Sequence, residues 1–535
     1  VTSSTSPQPH ADAGGTSTRT QFLLGATSGL LAAAVALGVG ELVAAVTDPA
    51  TSPLVAVGGT FIDLTPEWLK SFAIATFGDQ DKVALLGGIV ATLAIVAAAL
   101  GALATRDLRL GIGGIVAFGV VGGAAAMTRP GATAADALPT LLGSAAALLV
   151  LVLLIRALEP SAGAAAPRDS RTDRVAIRLA AGEPPSRRSF LALSAGTFAI
   201  AAGSMAVARL VSGRSPSGAS IALPRPASPA GAIPAGAELG IDGLSPYITP
   251  TDRFYRVDTA LVIPSVDATS WRLRIGGMVD RPLELTYAQL LALPLAERVI
   301  TLTCVSNQVG GTYAGTATWL GVPLRDLLDE AGVQAGADQI VSRSVDGMSI
   351  GTPTTVAMDG RDAMIAVGMN GAPLPAVNGF PARMLVPGLY GYVSATKWLT
   401  EIELTTFAAF DPYWVARGWA PEAPIKTMSR IDTPKPLSTV AAGRIAIAGV
   451  AWAQQRGIDG VEVRIDRGPW QAARLAAVDT IDTWRQWVLA WDATPGRHLL
   501  EVRATDATGA TQPEARAEPF PDGATGWHSV VMTVT

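Results

Sequence analysis

Four long apolar stretches dominate the first third of the chain: Phe22 to Val46, Val83 to Ala104, Leu110 to Met127 and Ala137 to Ile155. Each has roughly the length a helix needs to cross the hydrocarbon core of a bilayer. They are built from Gly, Ala, Leu and Val, and the single charge of the first is Glu41. One such run reads as well as a buried core helix; four in succession favour a transmembrane region over 22–158. Between the first two, Thr65 is placed to cap a helix, with Pro66 at its first position. In the same segment Trp68, Phe72 and Phe77 suit a membrane interface. Residues 1–21 show no such pattern and are expected to be disordered.

The polar stretch 159–188 carries Arg168, Arg171, Arg174, Arg178, Arg187 and Arg188. A fifth apolar run, 189–211, follows directly. "SRRSFL" (Ser186 to Leu191) resembles a twin-arginine export signal moved to an internal position. The positive-inside rule puts the basic linker in the cytoplasm, along with Arg106 and Arg109, and the fifth span then leads outward. Arg129 dissents from that arrangement. Everything after the fifth span is expected on the extracytoplasmic side.

Beyond residue 211 the pattern breaks. Residues 212–240 are rich in Pro, Ser, Gly and Ala, a composition expected to form an extended tether. Strand and helix patterns then mix over 241–410, which predicts an α+β domain. "WRLRIGGMV" (Trp271 to Val279) alternates as a strand, "TYAQLLAL" opens a short helix on Thr286, and "VPLRDLLDEAG" is an amphipathic helix stopped by Gly332. After a connector, 411–437, the stretch 438–535 becomes a series of short alternating strands with tight turns. That spacing predicts an immunoglobulin-like β-sandwich, read as packing or dimerisation and not as chemistry.

Composition narrows the function. Hydrophobic residues make up 49% and charged residues 16%, with a net charge of -4. That charge argues against a nucleic-acid binder. The three histidines are His10, His498 and His528, none within the apolar runs, so no haem is expected in the membrane region. One cysteine, Cys304, ends the strand-like run "ERVITLTC" just before a glycine-bearing turn. A lone cysteine is most often a small buried hydrophobe. As a thiolate it would be a metal ligand or a nucleophile.

Four segments carry a resemblance to a known family: "FYRVDTALVIPSVDATSWRLRIGGMVDRPLELTYAQLLALP", "RVITLTCVSNQVGG" with "TWLGVPLRDLL", "VGMNGAPLPAVNGFPARMLVPGLYGYVSATKWLTEIEL", and the C-terminal "AWAQQRGIDGVEVRIDRGPWQAARL" with "GWHSVVMTV". In this order they resemble the sulfite oxidase family of molybdopterin-dependent oxidoreductases. The resemblance implies a molybdopterin-binding domain of sulfite oxidase fold over 241–410. It implies Cys304 as the molybdenum ligand and catalytic centre, and oxygen-atom transfer as the chemistry. It further implies Tyr255, Arg256, Asp258, Thr259, Asn307, Arg383, Ser394, Thr396 and Lys397 as cofactor-binding residues, with Asn307 holding the cysteine turn. A separate redox partner, a cytochrome or quinone-linked protein, and a homodimer through the C-terminal domain complete the expectation.

The sequence also departs from the family. Asn307-Gln308-Val309 stands where Asn-Arg-Arg is usual, Met348 where a tyrosine is expected, Asn378 where a histidine is common, and "RVDT" where the family often ends in Arg-Asn-His. The loss of anion-binding groups suits a small-molecule or protein sulfoxide better than sulfite, unless Arg256, Arg343 or Arg361 reaches the metal. Two rivals stand beside this reading. One is a membrane-anchored binding or adhesion module that keeps the fold without metal; the other is a transporter or sensor regulated by the soluble half.

Overall fold

Small residues make one helix the hub of the first unit. The computed structural model describes residues 18–47, 51–66, 69, 81–128, 132–158, 187–212 and 221–535. Within residues 1–214 these form helices α1 (Thr18–Val46), α2 (Pro53–Leu64), α3 (Asp81–Ala104), α4 (Leu108–Met127), α5 (Leu138–Arg156) and α6 (Arg187–Ser212). Helix α1 packs against α3, α5 and α6. A Cβ at Gly29 of α1 would lie 1.9 Å from the Ala97 carbonyl oxygen of α3, and one at Gly143 of α5 would lie 2.4 Å from that of Ala36. Close backbone approach at small residues is the usual way apolar helices associate where lipid removes the hydrophobic drive. All except α2 contain a segment long and apolar enough to cross a membrane. The first described turn of α1 takes in residues 18–21, expected to be disordered; residues 1–17 and most of the 159–188 linker lie outside the described residues. Helix α2 was not anticipated: Ser52 caps it, and Thr65, expected to open a helix, closes this one. Ser52 also donates to Glu41, so the one acidic residue of α1 has a buried hydroxyl partner.

The second unit, 215–535, begins with chain that the composition had suggested would be a free tether. From Ile221 it lies along the domain. The amide of Ala227 donates to the Leu295 carbonyl at 2.8 Å, Ser228 pairs with Ala296, and Ala237 is fully buried. Proline-rich chain without helix or strand of its own is already extended, so it can follow the edge of a sheet at little further entropic cost.

Two sheets build the α+β domain. Its strands in chain order are β1 (Arg272–Gly277), β2 (Leu283–Thr286), β3 (Ala296–Thr303), β4 (Ala314–Pro323), β5 (Gln339–Ser344), β6 (Ser349–Pro353), β7 (Met364–Met369), β8 (Ala372–Pro373), β9 (Arg383–Leu385) and β10 (Leu399–Thr405). One sheet runs β2-β1-β10-β5-β6, with β1 and β10 parallel; the other runs β3-β4-β7-β8, with β9 on β7. Strand β3 is buried at every position from Val299 to Thr303, so it sits covered on both faces. Helix α7 (Tyr287–Ala292) starts in a capping box between Thr286 and Gln289, and α8 (Leu324–Ala331) ends at Gly332 with φ of 71°.

The C-terminal region is β-rich. Its strands are β11 (Met428–Thr433), β12 (Thr439–Val440), β13 (Gly443–Trp452), β14 (Ile458–Ile465), β15 (Gln471–Ala472), β16 (Arg474–Leu475), β17 (Arg485–Ala493), β18 (Gly496–Asp506) and β19 (His528–Val534). They form a four-stranded sheet, β11-β13-β17-β16, and a five-stranded sheet, β12-β19-β18-β14-β15. Both face one core, where Ile447 and Trp487 meet Val463, Leu500 and Val502. Every second residue of β18 from His498 to Asp506 is buried, the period-two pattern visible in the sequence. Burying Leu500 or Val502 contributes about 1.5–3 kcal/mol each. The expected connector 411–437 is not merely a connector, because β11 within it pairs with β13.

Candidate functional site

Strand β3 delivers Cys304 to a tight turn. The Cys304 amide donates to the Tyr313 carbonyl at 2.9 Å, and the Asn307 amide donates to the Cys304 carbonyl at 3.1 Å. Asn307 is buried, and its Oδ1 accepts from the Tyr313 amide at 2.8 Å, so its side chain ties the turn to the start of β4. The thiol is free and buried. Burial pushes its pKa up, while hydrogen bonds from Ser306 and the charge of Lys397 pull the other way.

A second strand and a loop bring cations to the same place. Arg383, at the start of β9, is buried; its Nη1 donates to the Asn378 carbonyl at 3.1 Å and its guanidinium lies 5.2 Å from the Trp319 ring. Burial lowers its pKa to about 10. Lys397 donates to Asp258 Oδ2 at 2.5 Å and to the Val377 carbonyl at 3.4 Å. Burial lowers its pKa to about 8 against the pull of Asp258, with Arg383 and Arg256 adding to the fall. Asp258 also takes Arg256, through Nε at 2.9 Å and Nη2 at 3.1 Å. Tyr255 lies between the two groups. Its ring stacks on Phe254 and stands 6.2 Å from that of Tyr313, and burial, with the nearby Cys304, raises its phenol well above the usual range.

Of the residues named from the sequence, Cys304, Tyr255, Arg256, Asp258, Arg383 and Lys397 are thus brought together by direct contact or by charge. Thr259 is half-buried on the same segment. Ser394 and Thr396 are buried, but their hydroxyls are engaged elsewhere: Ser394 donates to the Leu389 and Tyr390 carbonyls at 3.1 Å, and Thr396 shares a 2.5 Å hydrogen bond with Ser342. Arg343 and Arg361 do not reach the site. Arg343 pairs with Glu401 and Glu403, and Arg361 with Asp359 and the Pro387 carbonyl. Met348 sits in the turn between β5 and β6, and Gln308 is exposed.

Comparison with known proteins locates this chemistry. Residues 260–414 match the family described as the oxidoreductase molybdopterin binding domain. That stretch is a molybdopterin-binding oxidoreductase domain, and the chain is similar to the sulfite oxidases, spanning a little over half the length of the first of them. It is 29% identical to mitochondrial sulfite oxidase of Homo sapiens over 322 residues, which is 51% of this chain and 58% of the human one. Sulfite oxidase of Gallus gallus is also 29% identical, over 51% of this chain and 69% of its own length. Among solved structures, the sulfane dehydrogenase SoxCD from Paracoccus pantotrophus is similar over 54% of this chain and 84% of that chain, at 23% identity and a TM-score of 0.47.

The residues present fit the cofactor of the sulfite oxidase family. Arg383 Nε and Asn378 Oδ1 are buried without a hydrogen-bond partner, which is costly unless a ligand supplies one. Among the described residues, no group of three or more His, Cys, Asp or Glu side chains could hold a metal. A metal held by Cys304 would therefore bring its remaining ligands with it, as a pterin-bound metal does.

The C-terminal region supplies parts that sequence reasoning missed. Arg430 of β11 donates to the Gly311 carbonyl at 2.7 Å, Gln454 to the Thr301 carbonyl at 3.1 Å, and Trp484 N to Thr301 Oγ1 at 2.7 Å. The ring of His528 packs against Gly310. Tyr390 was also missed: it is buried, and burial together with nearby charges that include Cys304 pushes its pKa up to about 12. The one local signal was the buried-type pair Arg430-x-Asp432 inside a strand pattern.

Proposed function

We propose that this chain is a membrane-anchored oxidoreductase that transfers an oxygen atom at a molybdenum centre held by Cys304, on the extracytoplasmic side, with an uncharged sulfoxide preferred over sulfite. The observation that carries the reading is a free, buried thiol beside a buried cation group whose Arg383 Nε has no partner.

In this reading Cys304 would hold the metal through its sulfur, as a thiolate despite its burial. Arg383 and Lys397 would hold the anionic part of the pterin, and Asn378 and Tyr255 would offer it hydrogen bonds. Asn307 fixes the turn so that Cys304 presents its sulfur at one place. Bound there, the cofactor supplies a two-electron couple and oxygen-atom transfer. The protein's own part is to hold, orient and keep water from the reacting atoms. Gln308 and Val309 offer no charge to an incoming anion, and neither Arg343 nor Arg361 compensates. Electrons pass to or from a separate partner, a cytochrome or quinone-linked protein. The five apolar helices support the anchor, and the basic linker with Arg187 and Arg188 supports export of the unit that follows. The two-sheet C-terminal region, read as immunoglobulin-like, is a natural dimerisation surface.

The test is elemental analysis of detergent-purified protein beside Cys304→Ser. One molybdenum per chain, lost or electronically altered in the variant, is the expected result, followed by turnover of sulfoxides ahead of sulfite. Protein free of molybdenum from a cofactor-competent host would overturn the reading and favour a binding module that keeps the fold.

A further inference from the structure

One carboxylate holds two of the three cations in the site. Asp258 is almost completely buried, with 5% of its side chain exposed, against 34% for Arg256 and 10% for Lys397. Its Oδ2 receives both Arg256 Nε and Lys397 Nζ, while its Oδ1 receives Arg256 Nη2. The Arg256 pair is bidentate, the geometry in which a guanidinium would otherwise grip a carboxylate or an oxyanion. Arg256 is also the member of the cluster most open to solvent, so it is the cation an arriving anion would meet first.

The surroundings reinforce the effect. Val257 and Val262, on the same segment, are 40% and 47% exposed. Val345 is 48% exposed, and its amide donates to the Trp398 carbonyl next to Lys397. Exposed apolar side chains thus share a segment with an arginine whose fork is already filled, and a third is tied to the residue after Lys397.

We propose that Asp258 sets the substrate charge of this site: by filling the fork of Arg256, it removes the site's capacity to bind an oxyanion and leaves it open to an uncharged sulfur oxide. This rests on the molybdenum reading above and names the residue that decides between its two substrate classes. Removing a buried negative charge in contact with two cations raises the local attraction for an anion steeply, because the pair is poorly screened.

The experiment uses full-length protein whose molybdenum content is measured first, and inorganic sulfate as the probe, titrated by calorimetry at low ionic strength. Wild type is expected to bind sulfate weakly. Asp258→Asn should bind it at least about tenfold more tightly. Asp258→Asn combined with Arg256→Gln should return to the wild-type value. Asp258→Ser provides a second neutral variant should Asn fail to fold, and Asp258→Glu, which keeps the charge, should bind no more tightly than wild type. A neutral variant with full molybdenum content and unchanged sulfate affinity overturns the proposal, as does a Glu variant that binds like Asn. Wild type without molybdenum defeats the function reading instead, and the sulfate comparison then still reports on Asp258 in the same proteins.

Discussion

The guanidinium of Arg430 donates to the main-chain carbonyl of Gly311 across 2.7 Å, joining two residues 119 positions apart. The same side chain is bound to Asp432 at 2.7 Å and to Ser245 Oγ at 3.0 Å, and both ions are buried. A strand of the β-rich C-terminal region thereby clamps the turn that carries Cys304.

Arg430→Ala leaves Asp432 buried without its cation. Breaking a buried pair in this way typically costs about 3–5 kcal/mol. The expected outcome is a lower midpoint in urea, together with faster reaction of Cys304 with a thiol reagent in cofactor-free protein. A large stability loss with unchanged thiol reactivity would limit the clamp to a structural role.

Gly310 is required twice. Its φ is 81°, and a Cβ there would lie 2.3 Å from the ring of His528. Gly310→Ala should cost roughly 2–4 kcal/mol, from left-handed strain and overpacking together. Adding His528→Ala to that variant should recover part of the loss, and the double-mutant cycle should show coupling. Strict additivity would place the strain entirely in the backbone.

His528 predicts acid sensitivity. Its Nδ1 accepts from the Ile431 amide at 3.0 Å, and burial, with Arg430 and Arg516 nearby, lowers its pKa to about 4 against the opposing pull of Asp432. Between about pH 6.5 and 4 the unfolded chain binds the proton and the folded one does not, so stability falls as pH falls through that window. The full loss is on the order of 3 kcal/mol. Denaturation midpoints measured from pH 7 to 4 should therefore decline in wild type and decline less in His528→Gln.

The proposed export signal gives a cellular prediction. Arg187→Lys with Arg188→Lys should keep the unit after the fifth apolar helix inside the cell, protected from protease added to spheroplasts. Protease access equal to wild type would count against a twin-arginine route.

Much of this protein was legible from local pattern. Among the described residues, the five helices long and apolar enough to cross a membrane follow from runs of uncharged residues, because an apolar segment satisfies its backbone hydrogen bonds most readily within itself. Strand β18 follows from alternation, and α7 and α8 from Thr286 and Gly332, whose roles are set by neighbours within a turn. Cys304 could be singled out because it is the only cysteine in the chain and ends an apolar run. Residues 221–240 were misread, since a proline-rich composition reports an extended chain and not whether a sheet edge lies beside it.

The sequence by itself determined the elements and the residue types available for chemistry, since periodicity, capping and composition act over a few residues. Tertiary structure alone decided which distant polar groups meet. Asp258 and Lys397 are 139 positions apart, and Arg430 and Gly311 nearly as far. No local rule links them; burial does, because a cation taken out of water must find its partner wherever the folded chain happens to bring one.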